Sequence, residues 1–137
     1  MRVLLVLFVI LGLSGRAAAL DDADRAAVQS VIEQQLQAFL RDDGAAAYSF
    51  AAPSIKEMYP SVDAFMAMVR QGYPPVYRPR SYSFGELTEE PGYLEQAVEI
   101  VDGEGSFWMA VYTLRQEPDG SWKITGCYLL KKPGDVA

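Results

Sequence analysis

"QGYPPVYRPRSY", residues 71–82, places three prolines, three tyrosines and two arginines in twelve positions. The hydrophobic period of the chain differs on its two sides. Before it, apolar residues recur every three or four positions; after it, they alternate. The stretch is therefore a joint between a helical half and a β half, and the fold follows from those halves.

Upstream, "DDADRAAVQSVIEQQLQAFLRDD" (21–43) reads as a long first helix, with Val28, Val31, Ile32, Leu36 and Phe39 on one face. Asp21, Asp22 and Asp24 suit the positive end of a helix dipole. Asp43-Gly44 predicts the break, with Asp42 and Asp43 ending this helix and capping the next segment. "AAAYSFAAP" (45–53) predicts a short helical piece ended by Pro53. Ser54 with Glu57 in "SIKEMYP" (54–60) has the spacing of a capping box. "SVDAFMAMVRQG" (61–72) starts again at Ser61, carries Val62, Phe65, Met66 and Val69 on one stripe, and reaches a helix stop at Gly72.

Downstream, four segments alternate: "YSFGELTE" (82–89), "YLEQAVEIV" (93–101), "SFWMAVYTLRQ" (106–116) and "SWKITGCYLLK" (121–131). "DGEG" (102–105) and "PDGS" (118–121) are hairpin turn chemistry. Strict alternation places Trp122, Ile124, Tyr128 and Leu130 on one face of the last strand. Trp108, Tyr112, Trp122 and Tyr128 are then expected on the inner face of the sheet, against Phe39, Phe50 and Phe65. Helices first and an antiparallel meander second predict an α+β fold, with the N-terminal helices packed on a curved four-stranded antiparallel sheet. That order resembles the nuclear-transport-factor-2-like cone, with a cystatin-like arrangement as its near relative. Fold alone does not fix function.

"FAAPSIKEMYP", "FMAMVRQGYPPVYRPRS", "FGEL" and "DGSWKITGCYLL" together resemble the bacterial family of domain of unknown function 4864, from about Val28 to Leu130. The resemblance implies a short exported protein of a Gram-negative bacterium. It supports the domain boundaries and supplies no activity, ligand or catalytic residue.

The first residues bear on the same point. "MRVLLVLFVILGLSGRAAALDD" has one positive charge, an apolar run from Val3 to Leu11, and a small-residue end at Ala17-Ala18-Ala19. These are the parts of a secretory signal peptide cleaved after Ala19, which leaves a single domain over 20–137 and a periplasmic or secreted address. The apolar run is short of the about 20 residues of a membrane span, so no stable membrane insertion follows cleavage. Arg16 keeps an uncleaved N-terminal anchor as the alternative.

The chain has 137 residues with 12 Lys+Arg against 18 Asp+Glu, and loss of Arg2 and Arg16 with the leader leaves ten basic groups and a net charge of −8. Such a balance disfavours a nucleic-acid partner, which needs a basic face. Histidine is absent, which removes Ser-His-Asp and Cys-His catalysis and His-ligated metals. The single cysteine, Cys127, forms no internal disulfide and no thiolate cluster, and is expected as a buried, inert strand residue. No phosphate-binding glycine loop occurs. No metal or cofactor is called for, and Asp102 and Glu104 in "DGEG" fit a solvated hairpin tip better than a calcium site.

Two readings of residues 71–82 remain. As a structural joint, Pro74, Pro75 and Pro79 hold an extended connector, Tyr73 and Tyr77 cover the core rim, and the arginines pair with acids. As a binding rim, Arg70, Tyr73, Tyr77, Arg78 and Arg80 line the open end of the cone and hold a carboxylate or phosphate on a small ligand. The function expected is a small binding or interaction module without catalysis, with a small-molecule or protein partner; a homodimer formed through an exposed sheet face stands as a separate alternative. The alternative is a metal-free lyase or isomerase that pairs Asp42 or Asp43 with Tyr48, Tyr112 or Tyr128.

Overall fold

Residues 20–133 are described by a computed structural model. Helix α1 (Asp22–Leu40) opens on the side chain of Asp21, which accepts the amide of Asp24. Val28, Ile32, Leu36 and Phe39 are buried as their spacing requires, and the polar Gln35 is buried with them. The chain leaves α1 at Asp42, not at Asp43-Gly44. Asp42 takes a left-handed φ of 56°, its amide donates to Phe39 O, and the Asp43 amide donates to Ala38 O. This is the double hydrogen bond of a Schellman ending, with aspartate where glycine is usual. Gly44 serves close packing instead: a Cβ there would lie 2.9 Å from Val62 Cγ1.

Three short helices follow: α2 (Gly44–Ser49), α3 (Pro53–Met58) and α4 (Val62–Gly72). Asp43 caps α2 through the amide of Ala46, and Ser61 caps α4 through the amide of Ala64. The capping box at Ser54 does not form. Helix α3 starts one residue earlier, on Pro53, whose missing N–H costs nothing in a first turn. Phe65, Met66 and Val69 of α4 are buried, each worth roughly 1.5–3 kcal/mol of hydrophobic transfer.

The proline stretch is not extended. Pro74–Tyr77 form one helical turn, α5, closed by the Tyr77 amide on Tyr73 O and the Arg78 amide on Pro74 O. A φ near −65° suits a first helical turn as well as an extended chain, and the two prolines occupy positions that need no N–H. Tyr73 and Arg78, each before a proline, are pushed out of the helical region and bound the turn.

Strands β1 (Pro79–Glu90), β2 (Tyr93–Asp102), β3 (Phe107–Gln116) and β4 (Trp122–Lys131) form an antiparallel meander in the order β1-β2-β3-β4. The helices pack against one face of this sheet, as the sequence predicts. Three register shifts interrupt it, one at Pro79/Ser81 at the start of β1 and two further along the sheet. Opposite β2, the pairing of β1 jumps between Phe84 and Leu87, and the buried Gln96 satisfies the displaced backbone by donating to Gly85 O at 3.1 Å. In β4, Leu114 pairs with Ile124 and Thr113 with Gly126, so Thr125 is the extra residue.

The bulge in β4 corrects the expected faces. Beyond Thr125 the parity shifts by one, so Cys127 joins Ile124 and Tyr112 on the inner side, while Tyr128 and Leu130 face outward and are exposed. Trp108, Tyr112 and Trp122 pack inward as expected; Tyr128 does not. Ile124 also uses its free strand edge, donating to Phe50 O and accepting from the Ala52 amide, which pins the α2–α3 connection to the sheet. No helix among the described residues is long and apolar enough to cross a membrane. The leader expected over residues 1–19 lies outside the described residues.

Candidate functional site

Tyr73 and Tyr77 stand at the two ends of the same helical turn and reach different environments. The Tyr77 hydroxyl donates to Asp42 Oδ1, and the Arg78 guanidinium lies on the same carboxylate, with Nη2 at 2.7 Å and 2.8 Å from its two oxygens. Arg78 also donates from Nη1 to the carbonyl of Phe39, near the end of α1, and stacks 4.0 Å from the centroid of the Tyr77 ring. The Tyr77 hydroxyl, then the Arg78 guanidinium, hold the Asp42 carboxyl below its ordinary value, with Arg70 adding a longer-range pull. This cluster clasps the left-handed turn after α1 to the turn before β1. Its charges are mutually engaged and largely exposed, at 43% and 60% for the Arg78 and Asp42 side chains.

Tyr73 points the other way. Its hydroxyl donates to Cys127 O at 3.0 Å, and its ring lines a half-open cavity of about 170 Å³ between α1, α3, α4, α5 and the inner face of β3 and β4. Phe39 and Phe65, 6.2 Å apart between ring centroids, form one wall. Met58 and Met68 lie on the helical side, and Tyr112, Thr125 and Cys127 on the sheet side. No side chain lining this cavity is ionised at neutral pH: burial pushes the Cys127 thiol up to about 12 and the Tyr73 hydroxyl above its ordinary 10.0. Tyr112 is 1% exposed, and its hydroxyl is the one buried side-chain polar atom without a hydrogen-bond partner among the described residues.

Of the five residues weighed as a binding rim, Tyr73 lines the cavity, Tyr77 and Arg78 are gathered at Asp42, and Arg70 and Arg80 are exposed. The carboxylate–tyrosine pairs weighed for proton transfer do not assemble at the cavity. Asp42 is bound to Tyr77, Asp43 caps α2, and Tyr48 donates to Tyr59 O. Tyr112 lines the cavity without a carboxylate, and Tyr128 is on the outer face. Phe39, Met58 and Met68 are cavity residues that sequence reading assigns to core or leaves aside, because the stripe of a core helix and the wall of a cavity have one pattern. The "DGEG" tip uses its own acid: Asp102 accepts from the amides of Glu104 and Ser106 and from the Trp108 indole N–H, which, with the Ser106 amide, keeps its carboxyl below the ordinary value.

A family model described as "Domain of unknown function (DUF4864)" matches residues 21–137. Among solved structures, a nuclear-transport-factor-2-like protein of unknown function from Silicibacter pomeroyi DSS-3 is similar at 18% identity, covering 80% of this chain and 97% of its own, with a TM-score of 0.56. At that identity the likeness carries the fold alone. No curated protein matches the chain.

Proposed function

Because the chain belongs to the family of domain of unknown function 4864, whose fold supplies a cone without a prescribed chemistry, we propose that it is an exported, non-enzymatic module that binds a small molecule in the cavity beside Tyr73. The observation that carries this is the lining of the cavity: rings, thioethers and aliphatic chains, with a few polar atoms and no ionised group. A pocket of that composition fits a binding site. General acid–base catalysis is most efficient with a group that titrates near the working pH, and the lining offers neither a carboxylate nor a histidine, while burial moves Tyr73 and Cys127 further above neutral pH. Tyr73 is held at the wall by its hydroxyl on Cys127 O and by the helical turn that begins after it.

A thermal-shift screen of neutral and ionised small molecules tests this. Stabilisation by neutral compounds is expected in the wild type, with loss of the effect in Met68→Trp, which puts a larger ring into the lining. It should persist in Arg78→Ala and Arg80→Ala. Stabilisation by no compound, or only by anions and only with both arginines present, would remove the reading. The address is tested separately: the mature protein recovered from the exporting cell should begin at Leu20 by mass spectrometry, and a retained residue 1–19 would show an anchor instead.

A further inference from the structure

We infer that the free edge of β4, at Leu129 and Lys131, docks an extended acidic segment of a partner protein as a fifth strand. The inference is independent of what occupies the cavity. Strand pairing decides which backbone groups are free. The amides of Asp102 and Lys132 donate to Ser106 O and Phe107 O, which sets the alternation along β3: Phe107, Met109, Val111 and Thr113 bond towards β4, and the residues between them towards β2. On β4, Tyr128 and Leu130 therefore bond to β3, while Cys127, Leu129 and Lys131 turn N–H and C=O to the open side. Before the bulge, Ile124 faces that side too: its amide donates to Phe50 O and its carbonyl accepts from the Ala52 amide. The edge thus already takes extended backbone of its own chain, through the parallel bridge to Ala51. At Cys127 the carbonyl accepts the Tyr73 hydroxyl. Among the described residues, Leu129 and Lys131 have no backbone partner on the open side. A row of such groups is a template for an extended chain.

The opposite edge of the sheet is not equivalent. Strand β1 is interrupted by register shifts at Pro79/Ser81 and Phe84/Leu87 and carries Glu86, Glu89 and Glu90. Strand β4 pairs without interruption from Gly126 to Lys131. With the residue after it, β4 carries Lys123, Lys131 and Lys132 and no acid, in a chain with 18 Asp+Glu against 12 Lys+Arg. Lys123 donates to Ser49 O and Lys132 pairs with Glu99. Lys131 is exposed, with its Nζ 5.5 Å from the centroid of the Trp108 ring, and makes no hydrogen bond or ion pair among the described residues. An acidic residue opposite Lys131 gains a cross-strand ion pair, and a basic one meets repulsion. Lysines at an edge also disfavour pairing with a second copy of the same basic strand.

The test begins with amide hydrogen exchange on the protein alone, where Leu129 and Lys131 should exchange on the order of tenfold or more faster than Tyr128 and Leu130. The protein is then titrated by NMR with a short capped peptide of alternating valine and glutamate, at an ionic strength that screens the net charge of the chain. The peptide should shift the Leu129 and Lys131 amides and slow their exchange. Its valine–lysine counterpart should bind about fivefold more weakly, and a valine–glutamate peptide N-methylated at every amide should not bind. Lys131→Glu should reverse the order of the two charged peptides. Equal protection of the four amides in the dilute protein alone would mean that the edge is already covered. Protection that rises with protein concentration would put a second copy there. Either result overturns the inference, as do equal binding of the two charged peptides, binding of the N-methylated peptide, or no shift with the valine–glutamate peptide. The wild-type peptide comparison decides the class of segment without the variant, and none of these results bears on the cavity.

Discussion

Tyr73 and Tyr77 are the same residue four positions apart, and they end in opposite chemistries. Around Tyr77 the polar groups engage one another: its hydroxyl and Arg78 share the Asp42 carboxylate, and Arg78 also reaches the carbonyl of Phe39. Around Tyr73 the polar groups are few, and Tyr112, which also lines the cavity, has its hydroxyl buried without a partner. A surface clasp can be built from charges because water screens them; a concave apolar wall cannot. Of the conspicuous arginines of the sequence, Arg78 is held in the clasp, while the less conspicuous Tyr73 lines the cavity.

Perturbations can sharpen or break that contrast. The largest expected effect is on Cys127. With its thiol pushed from 9.0 to about 12, its thiolate fraction at neutral pH falls on the order of a thousandfold, and alkylation by iodoacetamide should slow accordingly in the folded protein and recover in urea. The sign for stability is set by a raised folded value: the thiol contribution is present below 9.0 and fades as pH rises toward 12. Fast alkylation of the folded protein at neutral pH would break the picture of a buried thiol. Phe39 belongs to both regions, its ring in the cavity wall and its carbonyl in the clasp. Phe39→Ala should cost about 3–5 kcal/mol in urea denaturation, and a loss near 1 kcal/mol would mean the wall is already loose.

Arg78→Ala should cost about 1 kcal/mol, since an exposed ion pair and a stacked guanidinium are lost together. Neutral-ligand binding should be retained in that variant. Asp42→Asn should have the smallest effect, because asparagine also tolerates the left-handed turn. Its effect should depend on pH. The folded Asp42 carboxyl lies below its ordinary 3.8, so its contribution is present above 3.8 and disappears as pH falls through the folded value. The melting difference between wild type and Asp42→Asn should therefore shrink on acidification below 3.8; a constant difference would show that the charge of Asp42 does not support the clasp.

Most of the architecture was legible in the sequence. The alternation of Leu94, Gln96, Val98 and Ile100 and the turn glycines gave four strands in order, and Ser61 gave the start of α4. The misread face of β4 comes from one residue added by a local device. The bulge at Thr125 reverses the faces of Cys127 and Tyr128, and nothing in "KITGCY" announces it beyond the small Gly126 beside Thr113. Prolines fix φ and leave ψ open, so "PPVY" could be extended or helical until its partners were placed. The cavity was illegible because an unfilled volume is a difference between packed volumes, which no spacing of residues encodes.

The most direct measurement maps, by amide NMR, the small molecule that best stabilises the protein in the thermal screen. Perturbations at Val69, Tyr73, Gly126 and Cys127, with Asp42 and Arg78 unmoved, are the expected result. Perturbations centred on Asp42, Arg78 and Arg80, with the amides of β4 unmoved, would place the site at the clasp and contradict the division of roles between Tyr73 and Tyr77.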